Sequence, residues 1–385
     1  MGWRGRTLPP RAVIGAVTLL RYGSLGAALF VYLTAELFPI GAQSELAAGL
    51  ACPPARIGLL LSVYAVVAAA VTLPLLAVTR RYDQRTVLVV CVSVLAVSQV
   101  GFAFSDDFAS AAAWRAPAAA VHGIVWSQAT VVAARLSPPN RVARASAAVF
   151  VGSTLALVAG APLTATLAHV MGWRATSMVI GVAAAVCAAA LCAVLPSVPP
   201  HRASPPATGG AGDVGPIALV GSITVLMVTG HYVSYAFFEP LVLRGWFGYA
   251  VVAPMLAAFG IAGLLGVCLA GRRLDAHPRR VRFGVVTGLV CALCAVAIPP
   301  VIPAGVVVWG CAAAAMPVVL NTAALRSSRH RKDVASAVYV VAYQAGIAIG
   351  SATGAAVLDF VSLAALPIVS IMLIVASAAL PFRTG

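Results

Sequence analysis

Charge is what this sequence has least of. Asp and Glu number 10, Lys and Arg 25, and together they make up 9% of the 385 residues, where an ordinary soluble domain carries about a quarter. Hydrophobic residues reach 62% and the mean hydropathy is +1.01. A water-facing surface built from that mixture would expose large apolar patches, which excludes an ordinary soluble globule. Lysine is almost missing, with Lys332 alone beside 24 arginines. The motifs of chemistry are missing too. There is no phosphate-cradling loop of the Walker type, so ATP is not expected as a direct driver. No His, Cys, Asp and Glu set has metal-ligand spacing and no nucleophile–base pair appears. Neither cofactor, metal nor catalytic residue is assigned, and an enzyme is not expected. The eight cysteines do not read as a disulfide framework. Seven sit in apolar runs as small hydrophobes, and Cys52 has no partner in its connection. Cys291 and Cys294 have redox-like spacing but lie mid-run without a nearby His or acid. The first apolar run continues past the core length of a signal peptide and lacks a clear small-residue cleavage site.

What is there is a rhythm. Twelve predominantly apolar stretches run approximately over 14–38, 56–78, 87–105, 110–135, 142–168, 174–195, 216–238, 248–271, 281–299, 303–325, 334–358 and 361–381. Each is near the roughly 20 residues that span a bilayer. In hydrocarbon the backbone must bond to itself, so all are expected to be helices, and abundant Gly, Ala, Ser and Thr allow them to approach closely. The net charge of +15 falls in alternate connections: Arg4, Arg6 and Arg11; Arg80, Arg81 and Arg85; Arg135, Arg141 and Arg144; Arg272, Arg273, Arg279, Arg280 and Arg282; Arg326, Arg329, Arg331 and Lys332, with Arg202 and Arg383 in the linker and at the C-terminus. The other connections carry only Arg56, Arg115, Arg174 and Arg244. This positive-inside asymmetry predicts a multi-pass protein of the cell inner (plasma) membrane with both termini cytoplasmic. Nucleic acid would need one contiguous basic face, so it is not an expected partner. Trp114, Trp173 and Trp246 fall near outer helix ends, where an aromatic belt would put them.

The segment from Pro196 to Pro216 breaks the rhythm with Pro, Gly and small polar residues and reads as a flexible cytoplasmic linker. The expected division is an N-terminal six-helix half over 1–195, a linker over 196–215 and a C-terminal six-helix half over 216–385. The halves resemble each other. LAVTRRYDQR, Leu76 to Arg85, follows the second stretch, and GRRLDAHPRR, Gly271 to Arg280, follows the eighth. The first stretch ends in Glu36-Leu-Phe-Pro39 and the seventh in Glu239-Pro240.

Four stretches carry a resemblance to the major facilitator superfamily. Gly271 with Asp275 and the basic pair Arg279 and Arg280 fits the family's loop signature, in which a Gly permits tight helix packing and the acid caps or pairs with a neighbouring helix. The first-half copy, Arg80, Arg81, Asp83 and Arg85, departs from it: Arg80 stands where the family usually has Asp. Arg115 followed after seven positions by His122-Gly123 resembles the fourth-helix motif. Gly152 with Gly160-Ala161-Pro162 resembles the antiporter motif of the fifth helix, with Thr164 near the place of its final Gly. Gln344-Ala-Gly346 with Gly350 and Gly354 puts one glycine face on the eleventh span. With Gly172-Trp173-Arg174, these motifs make the chain similar to the drug:proton antiporter branch that includes arabinose-efflux and chloramphenicol-efflux permeases. The resemblance implies an all-α integral membrane fold of twelve transmembrane helices in two pseudo-symmetric six-helix bundles, with ligand sites between the halves. It also implies gating loops at Arg80, Arg81, Asp83, Arg85, Gly271, Asp275, Arg279 and Arg280, and helix crossings at Gly152, Gly160 and Pro162.

An ionisable residue inside a span is costly and is by default functional. Glu36 heads that set as a site of proton exchange or substrate contact. Arg115 cannot give up its charge and is expected to hold Glu36 ionised in one conformation and release it in another. Glu239 is the symmetric second acid. His122 and His231 are proton-handling candidates because imidazole titrates near neutral pH. Gln43, Gln128, Asn321 and Gln344 are candidates for a polar lining, and Tyr32, Tyr64, Trp126, Phe237 and Tyr343 for an aromatic wall. Each has a plainer reading: Glu36 facing water, Arg115 snorkelling, Glu239 capping a helix, the histidines and amides bonded in packing, and the rings filling space between helices. The expectation is a secondary active transporter that exports small, amphiphilic or sugar-like molecules in exchange for protons by alternating access. The alternative is a proton-coupled importer or facilitator of the same superfamily. The expected partners are the lipid bilayer, protons and a small-molecule substrate, with the protein a monomer; sodium stays open beside protons as the coupling ion.

Overall fold

The computed structural model describes residues 11–138, 142–200, 214–245, 248–327 and 332–380. The described residues hold fifteen α-helices and no strand: α1 Arg11–Leu37, α2 Gln43–Gly49, α3 Pro54–Thr79, α4 Gln84–Ala103, α5 Phe108–Arg135, α6 Val142–Leu155, α7 Ala161–Met171, α8 Trp173–Val194, α9 Val214–Tyr235, α10 Phe238–Leu243, α11 Val252–Arg273, α12 Pro278–Val296, α13 Ile302–Arg326, α14 Lys332–Phe360 and α15 Ala365–Ala379. The expected twelve stretches are all helical, the fifth as α6 and α7 joined through a π turn at Ala156–Gly160. Among the described residues, nine segments are long and apolar enough to cross a membrane. The other three fall short for visible reasons. Arg115, His122 and Arg135 interrupt α5, Arg279, Arg280 and Arg282 open α12, and α15 has only 15 residues. The two short helices, α2 and α10, lie in connections between spans.

Helix starts follow local chemistry. Asp83 caps α4 by accepting from the Thr86 amide at 3.0 Å, and Asp107 with Ser110 forms a capping box on α5, each satisfying amides that have no partner inside the helix. Pro54 and Pro278 stand at first helical positions, where a missing N–H is harmless. Gly172, at φ 83°, takes the left-handed conformation that separates α7 from α8.

Chain order sends the connections alternately to two ends of the bundle, and polar contacts agree with that grouping. At the arginine-rich end, Asp83 accepts from Ser197 Oγ at 2.7 Å and from the Val198 amide at 2.6 Å. There Arg135 donates to the Pro199 carbonyl at 2.8 Å, Arg85 to the Cys192 carbonyl, and Arg326 pairs with Asp275 at 2.6 Å. Arg80, Arg81, Arg279 and Arg280 are exposed at the same end. At the opposite, linker-distal end, Arg174 donates to the carbonyls of Ser105 at 2.9 Å and Gly49 at 3.4 Å. Linker residues 201–213 and Arg4, Arg6, Arg141, Arg202, Arg329, Arg331 and Arg383 lie outside the described residues.

Helices cross closely where one partner has no side chain. A Cβ on Gly152 would fall on the Gly26 carbonyl between α6 and α1, and one on Gly160 would fall on the Thr34 hydroxyl. Gly346, Gly350 and Gly354 bring α14 against Val228, Thr229 and Val233 of α9, as the spacing in the eleventh span implies. Thr164 turns its hydroxyl back to the Gly160 and Ala161 carbonyls at 3.1 and 3.0 Å beside half-buried Pro162, so a hydroxyl replaces the missing glycine at a bent helix. Gly271 corrects the expectation of tight packing: it is exposed, and a Cβ there would meet nothing. What that loop supplies is the Asp275–Arg326 pair within the C-terminal helices. Trp173 is also a correction. It is 4% exposed, lodged beneath Gly49 and 5.3 Å from the Phe102 ring, and so is a core residue and not part of a belt. Trp114 remains exposed, and Trp246 lies outside the described residues.

Two apolar clusters result. One is made of N-terminal helices from Leu25 to Val198. The other is mostly C-terminal but takes in Leu37, Ile40, Leu61, Ala65, Ala161 and Ala165, so N-terminal helices also pack into it.

Two predictions follow from these contacts. Gly152→Ala has only backbone to push against, and overpacking of this kind costs about 1–3 kcal/mol; its unfolding temperature in detergent should drop, while that of Gly271→Ala should hold or rise. At Asp83, burial opposes ionisation, but hydrogen bonds from Ser197, Thr86 and Val198 outweigh it and hold the carboxyl below its ordinary 3.8. A depressed value means that the tie is at full strength above that pH and weakens as pH falls through the depressed range. Protection of residues 195–200 against hydrogen exchange, taken relative to the intrinsic rate at each pH, should therefore fall in strong acid. Asp83→Asn should show that lower protection already at neutral pH.

Candidate functional site

The last turn of α1 carries a backbone problem. Pro39 has no N–H to donate to the Ala35 carbonyl four residues back, and the Glu36 carbonyl lies at the helix end. Arg115 of α5 supplies the donors, reaching Ala35 and Glu36 carbonyls at 3.3 Å each. Its guanidinium is 5.3 Å from the Tyr64 ring centre and 5.4 Å from that of Phe102, and the residue is only 2% exposed. In this conformation the ion pairs among the described residues include none between Arg115 and the Glu36 carboxylate. Arg115 grips the backbone that carries Glu36, its planar fork spanning the Ala35 and Glu36 carbonyls.

The Glu36 carboxylate instead meets His122, with Oε2 3.6 Å from Nδ1. His122 lies seven residues after Arg115, two turns along the same face of α5. The same Nδ1 is 3.1 Å from the Tyr64 hydroxyl of α3. Tyr32, Tyr64 and Trp126 rings surround the imidazole at 5.8, 5.6 and 5.9 Å. Glu36 and His122 are 8% and 7% exposed, so an acid, a base and a fixed cation share one buried, largely apolar site. Among the described residues several buried polar atoms have no hydrogen-bond partner, including Arg115 Nε, Trp126 Nε1, Ser62 Oγ and Thr34 Oγ1 in the N-terminal helices, and Gln344 Oε1 and Thr229 Oγ1 in the C-terminal ones. Such atoms are costly unless water or a ligand meets them.

Other expected residues take other roles. Tyr32 is fully buried and donates toward the Cys91 and Ala118 carbonyls at 3.2 and 3.3 Å, tying α1 to α4 and α5; it is a strut and not an open wall. Phe237 is also fully buried, its ring filling the spaces left by Gly58 and Gly354. His231 accepts from Trp309 Nε1 at 3.1 Å and stacks on Tyr235 at 4.9 Å, so its bonding is that of a packed core residue. Gln128 is buried, Asn321 is exposed, and Tyr343 is half-buried, 5.8 Å from Tyr339.

Glu239 breaks the symmetry with Glu36. It is fully buried, and its carboxylate accepts from the Gln43 amide at 2.5 Å, the Ser44 amide at 3.0 Å and the Ser44 hydroxyl. Sequence reasoning missed its surroundings. Tyr249 donates to Glu45 at 2.6 Å and to the Gly41 carbonyl at 3.3 Å. His169 stacks on Tyr249 at 4.3 Å and approaches Glu45 at 3.6 Å. No local pattern announces partners some two hundred positions apart. Among the described residues, no group of three His, Cys, Asp or Glu is placed to hold a metal.

The sequence pattern of the Major Facilitator Superfamily matches residues 24–382. The chain belongs to the major facilitator superfamily. Two chloramphenicol efflux pumps from strains of Mycobacterium tuberculosis are 37% and 36% identical to it over 348 and 356 residues, each match covering 86% of this chain and 84% of the relative. A probable sugar efflux transporter of Mannheimia succiniciproducens is 27% identical over 92% of this chain and 91% of its own. The fold is shared with a solved mutant of the nucleoside transporter NupG, at TM-score 0.79 and 13% identity, covering 94% of this chain and 99% of that one. It is shared too with a bacterial homolog to the human lysosomal transporter Spinster, inward-facing and unoccupied, at TM-score 0.73 and 13% identity over 97% of both chains. As a member of the superfamily, this chain is a multi-pass membrane transporter of small molecules and not an enzyme.

Removing Arg115 tests the grip. Arg115→Ala strands two carbonyls, at about 1–3 kcal/mol for each buried group left unpaired, and should lower the unfolding temperature in detergent. Arg115→Lys should recover only part of it: the ammonium has donors for both carbonyls but is a point charge that cannot lie flat on the Tyr64 and Phe102 rings.

Proposed function

We propose that this major facilitator exports small, amphiphilic or sugar-like molecules in exchange for protons. In this reading the halves over 1–195 and 216–385 rock about the 196–215 linker, with both termini cytoplasmic and the linker-distal end facing outward. The observation that carries the proton coupling is the buried contact of Glu36 with His122 at 3.6 Å.

The 3.6 Å between carboxylate and imidazole is an ion-pair distance and not a hydrogen-bond distance, so a proton passes between them when a small shift or a water closes the gap. Burial penalises the charge on each and proximity rewards it. Arg115 adds one permanent positive charge that its two carbonyl bonds hold in place. With Glu36 ionised and His122 neutral, the site is neutral overall; one added proton leaves it with a net positive charge. The two conformations of a rocking transporter give this site different access to water, so protonation weights them differently. Tyr64, bonded to the same Nδ1 at 3.1 Å, fixes the orientation of the imidazole. A cationic or hydrogen-bonding substrate reaching the same carboxylate competes with the proton, which is the condition for exchange. The outward direction is supported by relatives named for chloramphenicol and sugar efflux, so these two classes of compound are the first to try.

The test is proton movement in inside-out vesicles energised with a pH gradient, with amphenicols, dyes and sugars added in turn. A transported compound should dissipate the gradient with wild type, and Glu36→Gln should slow that at least tenfold. Equal responses would remove Glu36 from the coupling step. Compound flux without proton movement would replace exchange by facilitated passage, and uptake that runs with the protons would make the protein an importer.

A further inference from the structure

The Glu36 site leaves unused a polar seam at the linker-distal end, where N-terminal and C-terminal helices meet. Six hydrogen bonds cross it. Gln43 and Ser44 of α2 give Glu239 their two amides and the Ser44 hydroxyl, the Gln43 side-chain amide donates to the Ala236 carbonyl at 2.7 Å, and Tyr249 donates to Gly41 and Glu45. Behind it, Phe237 fills the space over Gly58 of α3, and Leu256 of α11 presses on Gly41. Glu239 is the one acid in this seam that is fully buried, and the donors that meet its carboxylate all come from the other set of helices. When the two sets part here, those bonds are lost together. An interaction present in one conformation alone shifts the balance toward it by the whole of its free energy.

We propose that Glu239 is the positioning residue of this gate: its carboxylate, seated on the Gln43 and Ser44 amides, holds the linker-distal end closed and so sets the share of molecules open at that face. No external ligand is involved. The proposal rests on the alternating-access reading above and adds what keeps one face shut. Hydrogen bonds to a charged acceptor are the strong ones, and three on one buried carboxylate are enough to weight a two-state equilibrium. Tyr249, Glu45 and His169 form a second, more exposed contact on the flank. It also crosses the seam, through Tyr249 alone, since Glu45 and His169 belong to the same set of helices.

Spin labels on cysteines introduced at Ala48 and Ala250, both exposed and on opposite sides of the seam, report its opening by pulsed dipolar spectroscopy. The measurement uses the full chain in lipid nanodiscs with its eight native cysteines replaced. The parent should give one short distance. Glu239→Gln keeps the size but sets an amide N–H against an amide N–H, and should raise the long-distance share about tenfold. Ser44→Ala removes one donor and should raise it about three- to fivefold. The double variant should exceed Glu239→Gln by much less than the product of the two, because both act on one contact. Unshifted distances in folded Glu239→Gln would overturn the proposal. If that variant does not fold, unshifted distances in Ser44→Ala, which loses only a hydroxyl, would overturn it equally. Wild-type vesicle flux separates the two readings: shifted distances in Glu239→Gln with no transport by the wild type would sink the efflux reading and leave the latch, whereas wild-type transport with unshifted distances in the variant would sink the latch alone.

Discussion

Two carbonyls at the end of α1, those of Ala35 and Glu36, are held by one guanidinium, and the arrangement of the site depends on that grip. The physical cause is Pro39. In hydrocarbon a backbone acceptor has no water to fall back on, so a proline that removes its partner must be answered from elsewhere. Arg115 answers it from α5 and lies against Tyr64 and Phe102 as it does so. The consequence is geometric. With the backbone of α1 pinned to α5, Glu36 faces His122 two turns further along, and Tyr64 meets the same ring. A residue that looks like the counter-charge of an acid thus acts as the clamp that aims it.

The same economy of backbone contact runs through the bundle. Gly152 and Gly160 let α6 and the π turn lie against α1, while Gly346, Gly350 and Gly354 let α14 lie against α9. Packing in lipid relies on such close approach because no hydrophobic force separates helix from tail. The helices are joined at two kinds of place: small-residue crossings along their length and polar ties at the ends. Asp83 with Ser197 and Val198 is such a tie within the N-terminal helices, Asp275 with Arg326 within the C-terminal ones, and Glu239 with α2 between the two sets.

A duplicated sequence has produced unequal sites. Glu36 and Glu239 stand at equivalent helix ends beside prolines, yet one faces an imidazole and the other accepts backbone amides. His122 and His231 are both buried, but Trp309 occupies His231 with a hydrogen bond whereas His122 lies between a carboxylate and a hydroxyl. Symmetry in the chain predicts where acids fall; the tertiary structure decides that one meets an imidazole and the other the amides of a short helix.

The spans and their type were legible in the chain, because apolar runs of bilayer length have one way to satisfy their backbone. The family was legible in the Arg115 to His122-Gly123 spacing and the glycines of the fifth and eleventh spans. That Glu36, Arg115 and His122 are candidates was legible, since an intramembrane ionisable group is costly; that His122 is the neighbour of the Glu36 carboxylate was not read from the sequence. Nor was their bonding. That Arg115 serves carbonyls, that Tyr32 and Phe237 are struts, that Gly271 packs against nothing and Trp173 is core, all depend on which helix lies opposite, and hydropathy is indifferent to that. The seam of Glu239, Ser44 and Tyr249 is the extreme case. Local composition determined that this chain is a bundle of membrane helices with rare buried charges, since transfer from water to lipid is a property of each segment alone. Only the tertiary structure decided what those charges touch, since a hydrogen bond is fixed by distance and direction between residues far apart in the chain.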